Sequence, residues 1–86
     1  MPTISFFYGI AIRMFFGDHP PPHFHVVYAE FEARVELETG ELLDGNLPPR
    51  AAALVREWAA MHRDELRSNW SRAARSESVR PIEPLP

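Results

Sequence analysis

Three histidines fall within one short run, Asp18-His19-Pro20-Pro21-Pro22-His23-Phe24-His25. The pattern is H-x3-H-x-H with an aspartate in front of it. His23 and His25, two apart on a strand, would point their imidazoles to one face, roughly 6.5–7 Å apart at Cα. Two imidazoles so spaced suit one divalent metal, with His19 or Asp18 reaching in from the turn. The same pair could supply a general base and a general acid, since imidazole titrates near neutrality. A third reading gives them no chemistry: they are polar residues of a proline-fixed turn, one ring capping backbone carbonyls. The spacing leaves all three open. With no cysteine and no distant third ligand it falls short of a zinc signature.

The surrounding residues read as strands. Ile4 and Phe6 share one side of a short strand, and Tyr8-Gly9 turns the chain. Ile10, Ile12, Met14 and Phe16 share one face of the next run, while Ala11, Arg13 and Phe15 share the other. Three prolines in the turn at 17–22 cannot sit in a central strand. In 23–29, Phe24, Val26 and Tyr28 face one way and His23, His25 and Val27 the other. Residues 30–38 alternate most clearly, with Phe31, Ala33, Val35 and Leu37 apolar between charged neighbours. That fits a sheet with one covered and one wet face. A short strand at 41–43 and a turn at Asp44-Gly45-Asn46 complete a meander over 1–46. If 10–16 pairs with 23–29, Arg13 and His25 share the wet face, and Glu30, Glu32 and Arg34 join it. Arginine could then stabilise the charge on a phosphodiester while histidine moves the proton. The competing role for Arg13 is a cross-strand ion pair with a glutamate such as Glu32. On the catalytic reading the site is Arg13, His23 and His25, with Tyr8, His19 and Arg34 contacting substrate. On the metal reading the ligands are Asp18, His19, His23 and His25.

The second half changes period. Ala51, Leu54, Val55, Trp58, Met61, His62, Leu66, Trp70 and Ala73 follow spacings of three and four, which predicts one long amphipathic helix within 47–75, with a break near His62. Pro48 and Pro49 suit its first turn. His62 reads as a core-edge residue, and Trp58 and Trp70 as core. Residues 76–86 read as an extended tail, on the surface or partly disordered. The predicted fold is α+β: an antiparallel sheet of four to five strands covered on one face by that helix.

Eighty-six residues suit one domain with a thin core. The lack of cysteine excludes disulfides and thiolate metal sites. No apolar run reaches membrane length, and the apolar opening, with Arg13 inside it and no small-residue cleavage site, does not read as a signal peptide. The expected location is the cytoplasm, with no membrane association. A net charge of −3 argues against strong non-specific nucleic-acid binding. Residues 1–46 carry two arginines against seven acids, whereas 50–75 carry six arginines against three acids. The basic stretch reads as a solvated helix face or as a modest surface for a polyanion or partner. Phe7, Phe15 and Phe16 look too apolar for one thin core to cover, which predicts a homodimer or a tight complex with a partner protein.

The opening Met1-Pro2-Thr3-Ile4-Ser5, Phe7-Tyr8-Gly9-Ile10 and Ile12-Arg13-Met14 resembles the bacterial domain-of-unknown-function family 4160. So do Asp18-His19 with Pro21-Pro22-His23-Phe24-His25, the Glu38-Thr39-Gly40-Glu41 turn, Leu47-Pro48, Trp58, His62-Arg63-Glu65-Leu66, Asn69-Trp70 and Ile82-Glu83-Pro84-Leu85. Phe7 and Phe16-Gly17 depart from the pattern. The resemblance implies a small prokaryotic protein encoded beside a second small protein, in an arrangement like a type II toxin–antitoxin pair. The expectation that follows is a toxin-like member acting on RNA or translation, partnered by that neighbour. The alternative is a non-catalytic interaction module, antitoxin-like or DNA-associated, whose histidine turn is structural or metal-bound.

Overall fold

The computed structural model describes residues 3–86. Met1 and Pro2, part of the apolar opening and of the family resemblance, lie outside the described residues. Five strands, β1 (Thr3–Phe7), β2 (Ile10–Arg13), β3 (His23–Tyr28), β4 (Phe31–Glu36) and β5 (Leu42–Gly45), form one antiparallel sheet in the order β1-β2-β3-β4-β5. Each connection is local, as the turn residues predict. Tyr8 and Gly9 both take positive φ, the geometry that lets a two-residue hairpin match the twist of its strands. Asp44-Gly45 belongs to β5 and not to a turn. Gly45 has φ +84°, and a Cβ there would run into the Glu32 carbonyl, so only glycine lets β5 approach β4 this closely.

Alternation places Ile10, Ile12, Phe24, Val26, Ala33 and Val35 on the covered face, all buried. β1 departs from simple alternation. Ser5 stands opposite Ile12 and Phe7 opposite Ile10, while the register shifts between Thr3 and Ser5. That irregularity absorbs one residue. Ile4 and Phe7 are therefore both buried and Phe6 is 63% exposed, so Ile4 and Phe6 do not share a side. Phe7 packs on Trp58, with ring centroids 5.4 Å apart, and is not one of the uncovered phenylalanines. Phe16 lies beyond the end of β2 and is exposed.

The expected single long helix is two helices, α1 (Pro49–Met61) and α2 (Arg63–Ala74). They break at His62, whose φ of −123° and ψ of 26° are not helical. The side chains explain the break. His62 Nδ1 meets Glu65 Oε1 at 2.6 Å, one turn into α2, and Asp64 and Glu65 occupy the first turn of α2, where acids suit the helix dipole. Met61, on the apolar stripe by sequence, is exposed at the end of α1. α1 buries Ala51, Val55, Trp58 and Ala59; α2 buries Leu66, Asn69 and Ala73. Each large apolar side chain buried in this way contributes about 1.5–3 kcal/mol.

The tail is held against the body of the protein. Asn69, itself buried, donates from Nδ2 to the Arg80 carbonyl and accepts the Arg80 N–H at Oδ1. The Ile82 N–H donates to the Ile4 carbonyl, and Trp58 Nε1 donates to the Glu83 carbonyl. Ile82 and Leu85 join the core. Across the other end, Arg67 of α2 forms a two-pronged contact with Glu38, at 2.6 and 2.8 Å, and holds that carboxyl below its ordinary range. A depressed folded pKa means this pairing stabilises the fold above the ordinary glutamate pKa and is lost as pH falls through the folded value.

Ile82→Ala should lower stability by about 2–4 kcal/mol, as truncation of a core residue does. Urea denaturation measures it; a change within experimental error would mean the tail is not part of the core.

Candidate functional site

The sheet register assembles a row of chemistry-bearing side chains on the face turned away from the helices. Arg13 stands opposite His25, His25 opposite Arg34, and Arg34 opposite Asp44, each on the next strand. Glu32, two residues from Arg34, shares the face. These residues, with Phe15 and Val27, line an open cleft of about 280 Å³. Glu30 lies in the turn before β4 and does not join them.

The two arginines differ. Arg34 grips both carboxylate oxygens of Asp44 at 2.6–3.0 Å, and its guanidinium holds the Asp44 carboxyl below the ordinary range. The pair is exposed, so it orients Arg34 more than it stabilises the fold. Arg13 forms no such pair among the described residues. Its Nε is buried without a hydrogen-bond partner, and the cross-strand bridge to Glu32 is not made. Arg13 is thus the cation of the cleft whose guanidinium is not committed to a protein carboxylate.

Beside the row, the histidine turn folds back on β3. Asp18 Oδ2 lies 2.9 Å from His25 Nε2 and 3.3 Å from His23 Nε2. The His25 contact is a hydrogen bond; the longer His23 contact lacks the geometry of one, and His23 Nε2 is buried and unsatisfied. The His23 tautomer follows from its other nitrogen. Nδ1 lies 2.8 Å from the Pro21 carbonyl, which can only accept, so Nδ1 carries a proton and, in the neutral ring, Nε2 presents the lone pair. The Pro22 carbonyl is tied down in turn by the Leu37 N–H, which anchors the turn to the end of β4.

The two rings have different surroundings. His23 is only 1% exposed, because Trp70 of α2 packs on it with ring centroids 5.3 Å apart. His25 keeps 26% of its side chain exposed and takes the edge of Phe15 at 4.3 Å. Trp70, assigned to the core by periodicity, therefore roofs the histidine turn. No spacing in the sequence signals that contact, which depends on the break at His62.

Other candidates lie elsewhere. His19 is exposed and stands outside the cluster of Asp18, His23 and His25, whose donor atoms lie within 4.8 Å of one another. Tyr8 sits at the opposite end of β2 from Arg13 and hydrogen-bonds through its hydroxyl to the Pro86 carbonyl. It lines a separate cleft with Tyr28, Arg50 and Leu54. His62 packs against Trp58 at the helix break, far along the chain from the turn. The arginines of 50–75 are largely engaged: Arg67 with Glu38 and Asp64, Arg75 with Glu77, Arg72 with Asn69, and Arg63 with the Leu37 carbonyl. That is the bonding of a solvated, ion-paired helix face.

A family model described as "Domain of unknown function (DUF4160)" matches residues 9–71, a span that contains Arg13, the histidine turn, the row on β2–β5 and Trp70. No curated protein and no solved structure matches the chain.

The two histidines should separate in stability. In the presence of a chelator, His23→Ala should lower unfolding free energy by about 2–4 kcal/mol, through cavity formation under Trp70 and the lost Pro21 hydrogen bond. His25→Ala should change it by about 1 kcal/mol or less. The reverse order in urea denaturation would show that the enclosed ring had been misassigned.

Proposed function

Starting from the chain's membership of the DUF4160 family, we propose that it is the toxin-like member of a type II toxin–antitoxin pair and acts on a phosphodiester, RNA being the substrate class. The observation that carries the reading is the in-register row of Arg13, His25 and Arg34 on an open sheet face, with Asp18 behind His25. Asp18 accepts from His25 Nε2, which leaves Nδ1 as the nitrogen that takes a proton from an attacking hydroxyl. An aspartate in this position orients the imidazole and stabilises it when it becomes charged. Arg13, free of carboxylate partners in the cleft, would meet the growing negative charge on phosphorus-bound oxygens. Arg34, held in place by Asp44, would contact a neighbouring phosphate. His23 lies too deep to touch substrate and takes no part in the proton transfer of this scheme. The partner would be a small protein encoded nearby, covering the cleft or the exposed Phe6 and Phe16.

A second reading rests on the enclosure of His23. A ring packed under Trp70 and bonded to Pro21 is what a structural turn requires, and it suits a non-catalytic interaction module, antitoxin-like or DNA-associated. The two readings part on His25 and Arg13, which a structural turn does not need.

Induced expression in a bacterial host, with and without the neighbouring gene, tests the proposal. Growth arrest that the neighbour relieves is the expected result. His25→Ala should abolish arrest while the protein stays folded, since loss of one positioned acid or base reduces rate about 10²–10⁴-fold. Arg13→Lys should also fail, because an ammonium does not reproduce paired guanidinium donors. Harmless accumulation of wild-type protein at high level would overturn the toxin reading.

A further inference from the structure

We propose that Asp18, His23 and His25 form a binding site for one divalent transition-metal ion, with zinc the best fit. This inference stands on the geometry of the histidine turn and does not depend on the phosphodiester reading; with a metal bound, His25 Nε2 would be a ligand and no longer a donor to Asp18. Three donor atoms, one each from Asp18, His23 and His25, lie within 4.8 Å of one another. Two of the three separations are 2.9 and 3.3 Å. Ligand atoms at about 2.0–2.2 Å from a tetrahedral zinc lie roughly 3.3 Å apart, so closing the site needs the two rings to approach by no more than roughly 1.5 Å.

A second observation points to the ligand. His23 Nε2 is buried, aimed at a carboxylate that is also an acceptor, and satisfied by no hydrogen bond. Leaving such an acceptor unmade is costly, and a cation placed between the lone pair and the carboxylate resolves it. The opposite side of the ring is already arranged for that role. Nδ1–H donates to the Pro21 carbonyl, which orients the ring so that Nε2 faces the site, as outer partners of metal-bound histidines do. Trp70 covers one side of His23, while Asp18 and His25 each keep 26% of the side chain exposed. Three protein ligands with one side open to solvent is the arrangement of an accessible centre, not of a closed structural one. Two imidazoles and one carboxylate suit zinc and its first-row neighbours better than magnesium or calcium, which prefer all-oxygen sets. His19 is exposed and outside this set.

The test uses the full chain without an affinity tag, stripped with a chelator and titrated with zinc alone by calorimetry and with cobalt(II) by visible absorption. One equivalent of zinc should bind, and cobalt should give a d–d band of a four- or five-coordinate ion. Asp18→Ala and His25→Ala, checked for folding by circular dichroism, should each weaken zinc by more than the roughly 10–100-fold that loss of an outer partner causes. His19→Ala should leave affinity within about threefold of wild type, because an exposed side chain outside the set contributes no ligand. Absence of binding by folded wild-type protein would overturn the site. So would binding lost in His19→Ala but kept in Asp18→Ala, the mark of adventitious chelation by the exposed turn. Zinc binding without growth arrest on expression would leave this site standing and remove the toxin reading; arrest by a chain that binds no zinc would do the reverse.

Discussion

Antiparallel pairing of β2 with β3 places Arg13 opposite His25, and the arrangement of the open face follows from that one register. Strand side chains repeat every two residues, so a slip of one in β2 would turn Arg13 toward the helices, away from His25, and Ile12 toward water. Burial of Ile10, Ile12, Phe24 and Val26 under α1 therefore does more than stabilise the domain. It selects the register, and through it the alignment of Arg13, His25, Arg34 and Asp44 across four strands. Gly45 extends the same constraint to the last strand, since a side chain there would push β5 away and with it the carboxylate that holds Arg34.

A second constraint acts through the break at His62. A straight helix would carry its stripe along one line. The non-helical residue lets α2 set off anew, with Leu66, Asn69 and Ala73 buried and Trp70 against His23. Two consequences meet in the histidine turn. His23 loses contact with solvent, and its Nε2 is left facing Asp18 with no hydrogen-bond partner. His25, one pleat further on and not covered by Trp70, stays open to the cleft. Neighbouring histidines of one motif thus acquire different chemistry from their surroundings alone.

The polar contacts of the site are unequal in what they hold. The Arg34–Asp44 pair is exposed and closes on itself, while Arg13 remains without a carboxylate. Asp18 is the shared point of the turn, accepting from His25 and facing His23 with the same oxygen. Both rings therefore face a single carboxylate oxygen.

Much of this was legible from residues alone. Period-two alternation in 10–38 and period-three-to-four spacing beyond Ala51 already implied an antiparallel sheet with a helical cover, since those periods report which side chains share a face. The same arithmetic put Arg13, His25, Glu30, Glu32 and Arg34 together on the wet side, of which Glu30 falls in the turn before β4 instead. It failed where local pattern and long-range contact disagree. The irregularity in β1 exchanged Phe6 for Phe7 in the core, because one extra residue reverses the alternation that follows it. Residues 76–86, polar and proline-rich, gave no hint that Ile82 and Leu85 would dock, since the docking depends on Asn69 and Trp58 holding backbone groups from another part of the chain. The histidine motif named its members, but spacing could not say that His19 would stand apart, that Asp18 would bridge the other two, or that Trp70 would enclose one of them. Spacing fixes direction only along a single strand or helix, whereas burial and hydrogen-bond partners come from elements that meet only when the chain folds.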